Sequence, residues 1–285
     1  MSAKAPLSSV THQKSRFAWW LSPLNFLVLR RELINQLVRR EIAGRYRGTY
    51  LGIFWSLINP LIMLAVYTLV FGVIFNGRFT HTGKESSLDY ALGLFCGINL
   101  FNFFAEVVQR SPALILSHPN FVKKVVFPLE VLPLVAVLAA LFHLAIATIP
   151  LILGLLLAHG SVPWGVLLLI PIAVPLVLAT LGVSWFLSAL GVFIRDLHAA
   201  VGPALTILMF LSCIFYPLSA VPESLRFVIQ LNPMADLVEC ARSAVMWNTI
   251  PDWRMWIALL SSGILVFGIG LWVFRSCRPA FADTI

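Results

Sequence analysis

Charged residues are scarce in this chain. They make up 11% of its 285 residues, whereas a typical soluble domain has about 25%, and 60% of the residues are hydrophobic. So little polar surface cannot cover a water-soluble core, which excludes an ordinary soluble globular protein. The composition therefore predicts an integral membrane protein.

The sequence also lacks the common motifs of catalysis and nucleotide binding. It contains no GxxxxGKS or GxxxxGKT phosphate-binding loop, no GxSxG turn, no HExxH helix and no paired carboxylates of the kind that bind a sugar-nucleotide metal. The cysteines lie far apart without a CxxC pair, which indicates packing residues rather than a disulfide framework or a metal site; they are Cys96, Cys213, Cys240 and Cys277. We therefore expect a protein that is not an enzyme, with no catalytic residue, no metal site and no cofactor bound by this chain.

What the chain does have is positive charge next to apolar runs. Arg39, Arg40, Arg45 and Arg47 precede the first long apolar run, which begins near Tyr50. Membrane proteins concentrate Lys and Arg on the cytoplasmic side, and this rule explains the net charge of +8 more simply than nucleic-acid binding does. The pattern predicts that both termini are cytoplasmic.

Hydropathy predicts six membrane spans in a domain that covers residues 51–275, and hence an all-α integral membrane protein. We expect cytoplasmic tails at 1–23 and 276–285, since residues 1–23 contain no apolar segment like that of a signal peptide. The predicted spans are 51–75, 90–109, 129–158, 164–194, 199–217 and 253–274.

Residues 24–50 read as a basic amphipathic helix before the first span. Phe26, Leu29, Leu33 and Leu37 form one apolar seam, flanked by Ile34 and Val38, and the opposite face holds Arg31, Asn35 and Arg39. Such a helix lies in the membrane interface with its arginines reaching water. It serves either as a topology anchor alone or also as a contact for a partner protein.

Two connections between spans are too structured to be simple spacers. The loop 117–127 mixes basic and apolar residues after Pro119, which fits either an ordinary cytoplasmic loop or a docking element. The segment 219–249 holds two short helices, near 223–230 and 234–247, separated at Asn232 and Pro233 because the residue before proline avoids helical geometry. Both are too short to span, so they enter or lie on the outer leaflet, or cap a pore. In the second helix, one face holds Met234, Leu237, Val238, Ala241 and Val245, and we expect Asp236, Glu239 and Arg242 to point away from it.

Aromatic and amide side chains are frequent in the first two spans. Tyr67 and Phe71 recur at helical spacing in the first, and Phe103 lies near Asn99 and Asn102 in the second. Aromatic rings stack on the C–H faces of sugars and amides bond their hydroxyls, so this lining suits a glycan. For any single residue, however, lipid contact or helix packing is the simpler explanation.

His143 is the ionisable residue nearest the middle of a predicted span. Because an isolated histidine is no proton relay, we expect it to have a hydrogen-bonded packing role. Glu106 and Glu130 fall at the cytoplasmic ends of the second and third spans.

The order of short motifs along the chain resembles the membrane subunit of the ABC-2 polysaccharide exporters, which export O-antigen, capsule or teichoic acid chains. The resemblance extends from about Leu24 to Arg275. It is carried by the basic helix followed by YLGIFWSLINPL (50–61), VKKVVFPLEVLP (122–133), RDL (195–197), FYPLSAVPE (215–223) and LNPM (231–234). It is similar above all to the O-antigen type, which belongs to lipopolysaccharide biosynthesis.

The resemblance implies partners that the residues themselves do not reveal. Members of the family are homodimers in the bacterial inner membrane, paired with two copies of a separate ATPase that uses ATP and Mg. The substrate would be an undecaprenyl-linked polysaccharide, taken from the cytoplasmic leaflet into a channel between the two copies.

The resemblance also suggests a role for each candidate site residue. Residues for ATPase coupling would be Arg39, Arg40, Pro119, Lys123 and Lys124. Channel candidates are Trp55, Tyr67, Phe71, Asn99, Asn102 and Phe103. Candidates for a periplasmic gate are Glu223, Asn232, Pro233 and Glu239.

Other functions remain open at the level of sequence. An ABC-2 exporter of a drug or small lipid would share the architecture, and only a substrate test separates it. A membrane glycosyl or acyl transferase is disfavoured by the missing catalytic motifs. A scaffold without transport does not explain the structured outer segment.

Overall fold

The computed structural model of the chain describes residues 31–75, 77–79, 86–122 and 127–284. Within these ranges the chain is helical with short connections and has no strand, which confirms the predicted all-α class. Several predictions fall on residues outside the described ranges: the 1–23 tail, the start of the basic helix with Phe26 and Leu29, and Lys123 and Lys124.

Eleven α-helical segments follow one another along the described residues, with three short 3-10 turns, Ser111–Ala113, Leu218–Ala220 and Arg278–Ala280, between or beside them. The second ends in a π-helical stretch, Thr68–Ile74, and the sixth begins with a 3-10 turn, Trp164–Leu168. The segments are α1 Arg31–Tyr46, α2 Gly52–Ile74, α3 Ser87–Arg110, α4 Pro119–Val122, α5 Val131–His159, α6 Trp164–Phe193, α7 Leu197–Leu211, α8 Glu223–Gln230, α9 Pro233–Trp247, α10 Trp253–Cys277 and α11 Phe281–Thr284.

Among the described residues, five helices are long and apolar enough to cross a membrane: α2, α3, α5, α6 and α10. They correspond to five of the six predicted spans, so the chain is a multi-pass membrane protein. The remaining predicted span, 199–217, corresponds to α7, whose 15 residues extend about 22 Å. This is shorter than the hydrocarbon core of about 30 Å, and the count of six spans stays a prediction.

Helix α3 forms the centre of the bundle. Every residue from Tyr90 to Phe101 is buried, against α5, α6, α7 and α9. Around it, α6 and α10 pack backbone to backbone, since a Cβ atom on Gly270 would lie 2.0 Å from the carbonyl oxygen of Gly182. Small residues that let two helices approach closely are typical of packing within membranes.

Helix α1 lies along α5. Ile34 is buried against Val131 and Val135, whereas Arg31 and Arg39 are exposed. We call the end of the bundle that holds α1 and α4 the basic end, and the opposite end, which holds α8 and α9, the hairpin end.

The two short helices at the hairpin end, α8 and α9, have bounds close to those predicted, and the apolar face of α9 is buried as expected. The prediction for Arg242 was wrong. Its side chain is fully buried and donates hydrogen bonds to the carbonyl oxygens of Cys213 (2.8 Å) and Ile214 (3.1 Å). Helical spacing assigned Arg242 to the polar face, but the chain reversal after α7 supplies carbonyl acceptors that helical spacing does not reveal.

Candidate functional site

A cavity of about 2030 Å³ opens between α1, α2, α3, α5 and α7. Five of the six channel candidates line it: Trp55, Tyr67, Asn99, Asn102 and Phe103. Phe71 is not among the lining residues. The cavity therefore brings together residues from the first two long helices, α2 and α3, and from α1. From the sequence, the role of α1 was predicted separately from that of the channel candidates.

At the basic end, Glu106 joins three helices. Its carboxylate lies 2.9 Å from Nδ1 of His143 on α5 and accepts a hydrogen bond from Arg45 on α1. The Tyr46 ring packs edge-on against His143, with centroids 6.0 Å apart. The sequence suggested that His143 is isolated. The structure instead places it in an ionic cluster in the cavity wall.

A second ion pair fixes α1 at the same end. Arg110, at the end of α3, donates to Glu41, and both residues line the cavity. Burial raises the pKa of the Tyr46 hydroxyl above its ordinary value, because the charged phenolate is disfavoured away from water. At this end, the helix therefore meets the bundle through two ion pairs and the Tyr46 ring.

Away from the charged end, the cavity wall is uncharged and mainly apolar, with a few amide groups. On α2, Trp55, Asn59, Met63 and Tyr67 recur every four residues and all face the cavity. On α3, Asn99 and Asn102 line it next to Phe95 and Phe103, and the Asn99 amide donates to the carbonyl oxygen of Ala147 (3.4 Å). This surface offers amide groups and aromatic rings together.

Beyond Tyr67, on the hairpin side, lies an aromatic cluster. Phe71 stacks with Phe75 at 5.9 Å and contacts Phe215 at 5.6 Å, and Phe215 contacts Phe210 at 5.7 Å. The Tyr90 hydroxyl donates to the carbonyl oxygen of Phe215 (2.7 Å). Phe71 thus belongs to the packing at the hairpin side of the cavity.

The described coupling candidates differ in where they lie. All three are exposed, but Arg40 and Pro119 line the cavity and Arg39 does not. In the 117–127 loop, Phe121 stacks on Phe127 with centroids 4.3 Å apart, and Phe121 also lines the cavity. A displacement of this loop would therefore change the cavity wall directly.

The gate candidates at the hairpin end mainly hold the local structure. The Asn232 side chain caps α9 by accepting from the Met234 N–H (3.0 Å), and it donates to the carbonyl oxygen of Leu211 (3.2 Å). Pro233 starts the helix, and Glu239 pairs with Arg242 at 3.0 Å. The side chain of Glu223 is 93% exposed.

Sequence reasoning missed several lining residues. Asn59 was detectable, because it lies one turn after Trp55 on the same stripe. Gln109 and Thr206 gave no comparable signal, since nothing in the local sequence of α3 or α7 indicates which face lines the cavity. Among the described residues, no group of His, Cys, Asp and Glu is arranged to hold a metal ion.

Comparisons with known proteins agree with this architecture. The family model described as ABC-2 type transporter matches residues 32–246. The O-antigen export system permease protein RfbA of Myxococcus xanthus is 31% identical, over 90% of this chain and 96% of the relative. Its counterpart in Klebsiella pneumoniae is 27% identical, over 89% of this chain and 95% of the relative. The polysialic acid transport protein KpsM of Escherichia coli is 22% identical, over 87% of this chain and 94% of the relative. The resemblance drawn from the motifs is confirmed, and the chain belongs to the ABC-2 type transporter family of membrane proteins.

Proposed function

We propose that this chain is the membrane-spanning permease of an ATP-driven ABC transporter that exports lipid-linked polysaccharide across the cytoplasmic membrane. O-antigen is the first choice of substrate, followed by capsule and teichoic acid. The observation that carries the proposal is the cavity, whose amide and aromatic lining suits a glycan, in a chain whose relatives are named for O-antigen export and polysialic acid transport.

The size of the cavity favours a long substrate over a compact one. Pockets for drug-sized ligands have volumes of about 300–1,000 Å³, and this cavity has about 2030 Å³. Two exposed amides, from Asn59 and Asn102, line the cavity and can bond hydroxyls, whereas the buried Asn99 amide donates to Ala147. An extended polymer uses such repeated contacts, whereas a small drug does not need them.

We propose a homodimer that assembles with two ATPase subunits. Because this chain lacks a phosphate-binding loop, those subunits bind and hydrolyse the ATP, with Mg. Apolar side chains on α2 and α7 next to the cavity are exposed, including Leu61, Val66, Ile207 and Phe210. A second copy would cover part of this surface and close the channel, and lipid would cover the rest. Six spans with cytoplasmic termini complete the proposed topology, with α7 in the fifth.

In the proposed mechanism, ATP-driven closure of the partner displaces the 117–127 loop and α1 as rigid bodies. The loop is tied to the bundle where it ends, because Arg278 donates to the carbonyl oxygen of Phe127 (3.5 Å) and to the Glu130 carboxylate (2.9 Å). This displacement would shift the charged wall of the cavity and open a path towards the hairpin end, where residues 219–249 form the gate.

The substrate test is a deletion of the gene, followed by complementation. We expect surface polysaccharide to disappear and undecaprenyl-linked polysaccharide to accumulate on the cytoplasmic face, and the intact gene to restore export. Unchanged surface polysaccharide, with loss of drug efflux instead, would support the exporter of a drug or small lipid.

Coupling is tested separately by charge reversal at Lys123 and Lys124. We expect lower ATPase activity of the assembled complex with normal membrane insertion. Unchanged ATPase activity and export in the double variant would contradict docking through this loop.

A further inference from the structure

We propose that Arg278 is a positioning residue for transport. It holds the end of the 117–127 loop in place at Phe127 and Glu130, so that a displacement of the loop becomes a rotation about this fixed end. The inference rests on the proposed function, in which the loop receives the displacement from the partner ATPase.

The guanidinium group of Arg278 contacts the end of the loop at two points. One terminal nitrogen donates to the Glu130 carboxylate (2.9 Å), and the other donates to the carbonyl oxygen of Phe127 (3.5 Å). The Glu130 side chain, directly before α5, is 13% exposed, and that of Arg278 is 39% exposed. Because a guanidinium is planar and donates in several directions at once, one side chain fixes both the last residue of the loop and the start of α5.

The turn that carries Arg278 is itself anchored in the bundle. Phe281 is fully buried, with its ring centroid 5.5 Å from that of Phe274 on α10 and 6.1 Å from that of Phe193 on α6. Pro279 follows Arg278, and its ring restricts the backbone of the 3-10 turn. Arg278 therefore extends from a backbone that α6 and α10 hold in place.

The end of the loop is also attached directly to the same two helices. Nε1 of Trp185 on α6 donates to the carbonyl oxygen of Glu130 (3.1 Å), and the Trp185 ring packs edge-on against Phe267 on α10, with centroids 5.1 Å apart. The backbones of α6 and α10 touch at Gly182 and Gly270, and such closely packed elements resist deformation. The α6–α10 pair therefore provides a rigid support for the end of the loop.

Three aromatic rings connect this fixed end to the cavity. Phe127 stacks on Phe121, with centroids 4.3 Å apart, and Phe121 stacks on the His118 ring at 5.6 Å. Phe121 and His118 line the cavity, whereas Arg278 is not among the lining residues. Because Arg278 holds Phe127, a displaced loop would turn Phe121 and His118 in the cavity wall instead of moving as a whole. Arg278 thus acts on the cavity through Phe127 and not by contact with substrate.

Arg278→Gln in the complete transporter tests this role through the yield of export. The yield is the surface polysaccharide of a complemented deletion strain, divided by the ATPase activity of the complex purified from the same cells. We expect it to fall about threefold, because the end of the loop then follows the displacement. The thermal midpoint should change little, because the ion pair is partly exposed.

Arg254→Gln is the matched control. It removes the same charge from an exposed position at the other end of α10, and we expect an unchanged yield. A normal yield for Arg278→Gln would overturn the proposal. An equal loss in both variants would also overturn it, because the effect would then come from net charge and not from the contact with the loop.

The charge swap Arg278→Glu/Glu130→Arg keeps the test valid if a single variant folds poorly. It restores the ion pair with its charges exchanged, and we expect the yield to recover in part. Recovery should be incomplete, since a carboxylate at position 278 cannot donate to the carbonyl oxygen of Phe127. A yield no better than that of Arg278→Gln would overturn the role of this pair.

A covalent link distinguishes a fixed end from a moving one. Arg278→Cys and Glu130→Cys are combined with Cys277→Ser, which removes the native cysteine that is not fully buried. We expect a short bis-maleimide between the two new thiols to restore the yield that the unlinked variant loses, because the fixed end does not move during transport. Loss of export on linking would overturn the proposal, since the end of the loop would then have to move.

The inference and the proposed function fail on different results. If the deletion strain loses surface polysaccharide while Arg278→Gln exports with normal yield, this inference fails and the proposed function stands. If the deletion leaves surface polysaccharide unchanged, the proposed function fails and this inference fails with it.

Discussion

Helices α3 and α5 are joined at two levels by a carboxylate and a histidine, and the two pairs have different surroundings. At the hairpin end, Asp89 lies 3.1 Å from His159 and also accepts the Ser86 N–H in a capping box, so it serves its own helix. At the basic end, Glu106 pairs with His143 and with Arg45 of α1, in the wall of the cavity. At the hairpin end the carboxylate caps α3, whereas at the basic end it brings three helices together in the cavity wall.

The rest of each end follows the same division. The hairpin end holds the fully buried Arg242 and the capping Asn232, which satisfy backbone carbonyls after α7. The basic end holds partly exposed ion pairs around an open cavity. We therefore expect substitution of the buried Arg242 at the hairpin end to affect stability before it affects the proposed gate, and substitutions in the ion pairs at the basic end to affect transport.

The largest effect is expected for Arg242→Ala. Loss of a buried cation that bonds two carbonyl groups and Glu239 should cost about 3 kcal/mol of unfolding free energy, measured as a lower thermal midpoint in detergent. Arg226→Ala is the control in the same helical pair, because the Arg226 side chain is 40% exposed. An unchanged midpoint for Arg242→Ala would remove the structural role assigned to the hairpin end.

Glu106→Gln should test the functional difference between the two ends most directly. It leaves Arg45 and His143 without their shared carboxylate, and we expect export to fall about tenfold, equivalent to about 1.4 kcal/mol. Surface polysaccharide in a complemented deletion strain measures this. Asp89→Asn is the matched control, for which we expect a lower thermal midpoint with nearly normal export. Equal loss of export in both would show that the two pairs do not differ.

Tyr67→Ala and Phe71→Ala test the boundary of the cavity within one helix. Tyr67 lines the cavity and Phe71 packs in the aromatic cluster. We expect Tyr67→Ala to lower export several-fold at nearly normal stability, and Phe71→Ala to lower the thermal midpoint through the loss of aromatic contacts of about 1 kcal/mol. The reverse pattern would place the glycan path through the cluster.

The smallest effect is expected for His159→Gln. The His159 side chain is 38% exposed, so its pairing with Asp89 should contribute less than about 1 kcal/mol. Export and the thermal midpoint should both stay close to those of the intact protein. A strong loss of export would assign function to the hairpin end as well.

Features that depend on neighbouring residues were predictable from the sequence. The all-helical class, five of the apolar spans and the break at Asn232 and Pro233 follow from local composition, because a bilayer requires long apolar helices and proline restricts the residue before it. Five of the channel candidates also line one cavity, although their role in transport stays a prediction. The length of α7 was overestimated, since hydropathy continues past the point where the backbone turns at Cys213, with φ of 51°.

The sequence by itself thus determined the family, the helical membrane class and the residue types available for a glycan path, because these depend on order and local composition. Only the tertiary structure decided which of those residues meet. The ionic cluster joins Arg45 to His143, 98 positions away, and Arg242 reaches a carbonyl 29 positions earlier. Helical spacing fixes which side chains share a face, but packing against other helices decides whether that face meets lipid, a cavity or a buried carbonyl group.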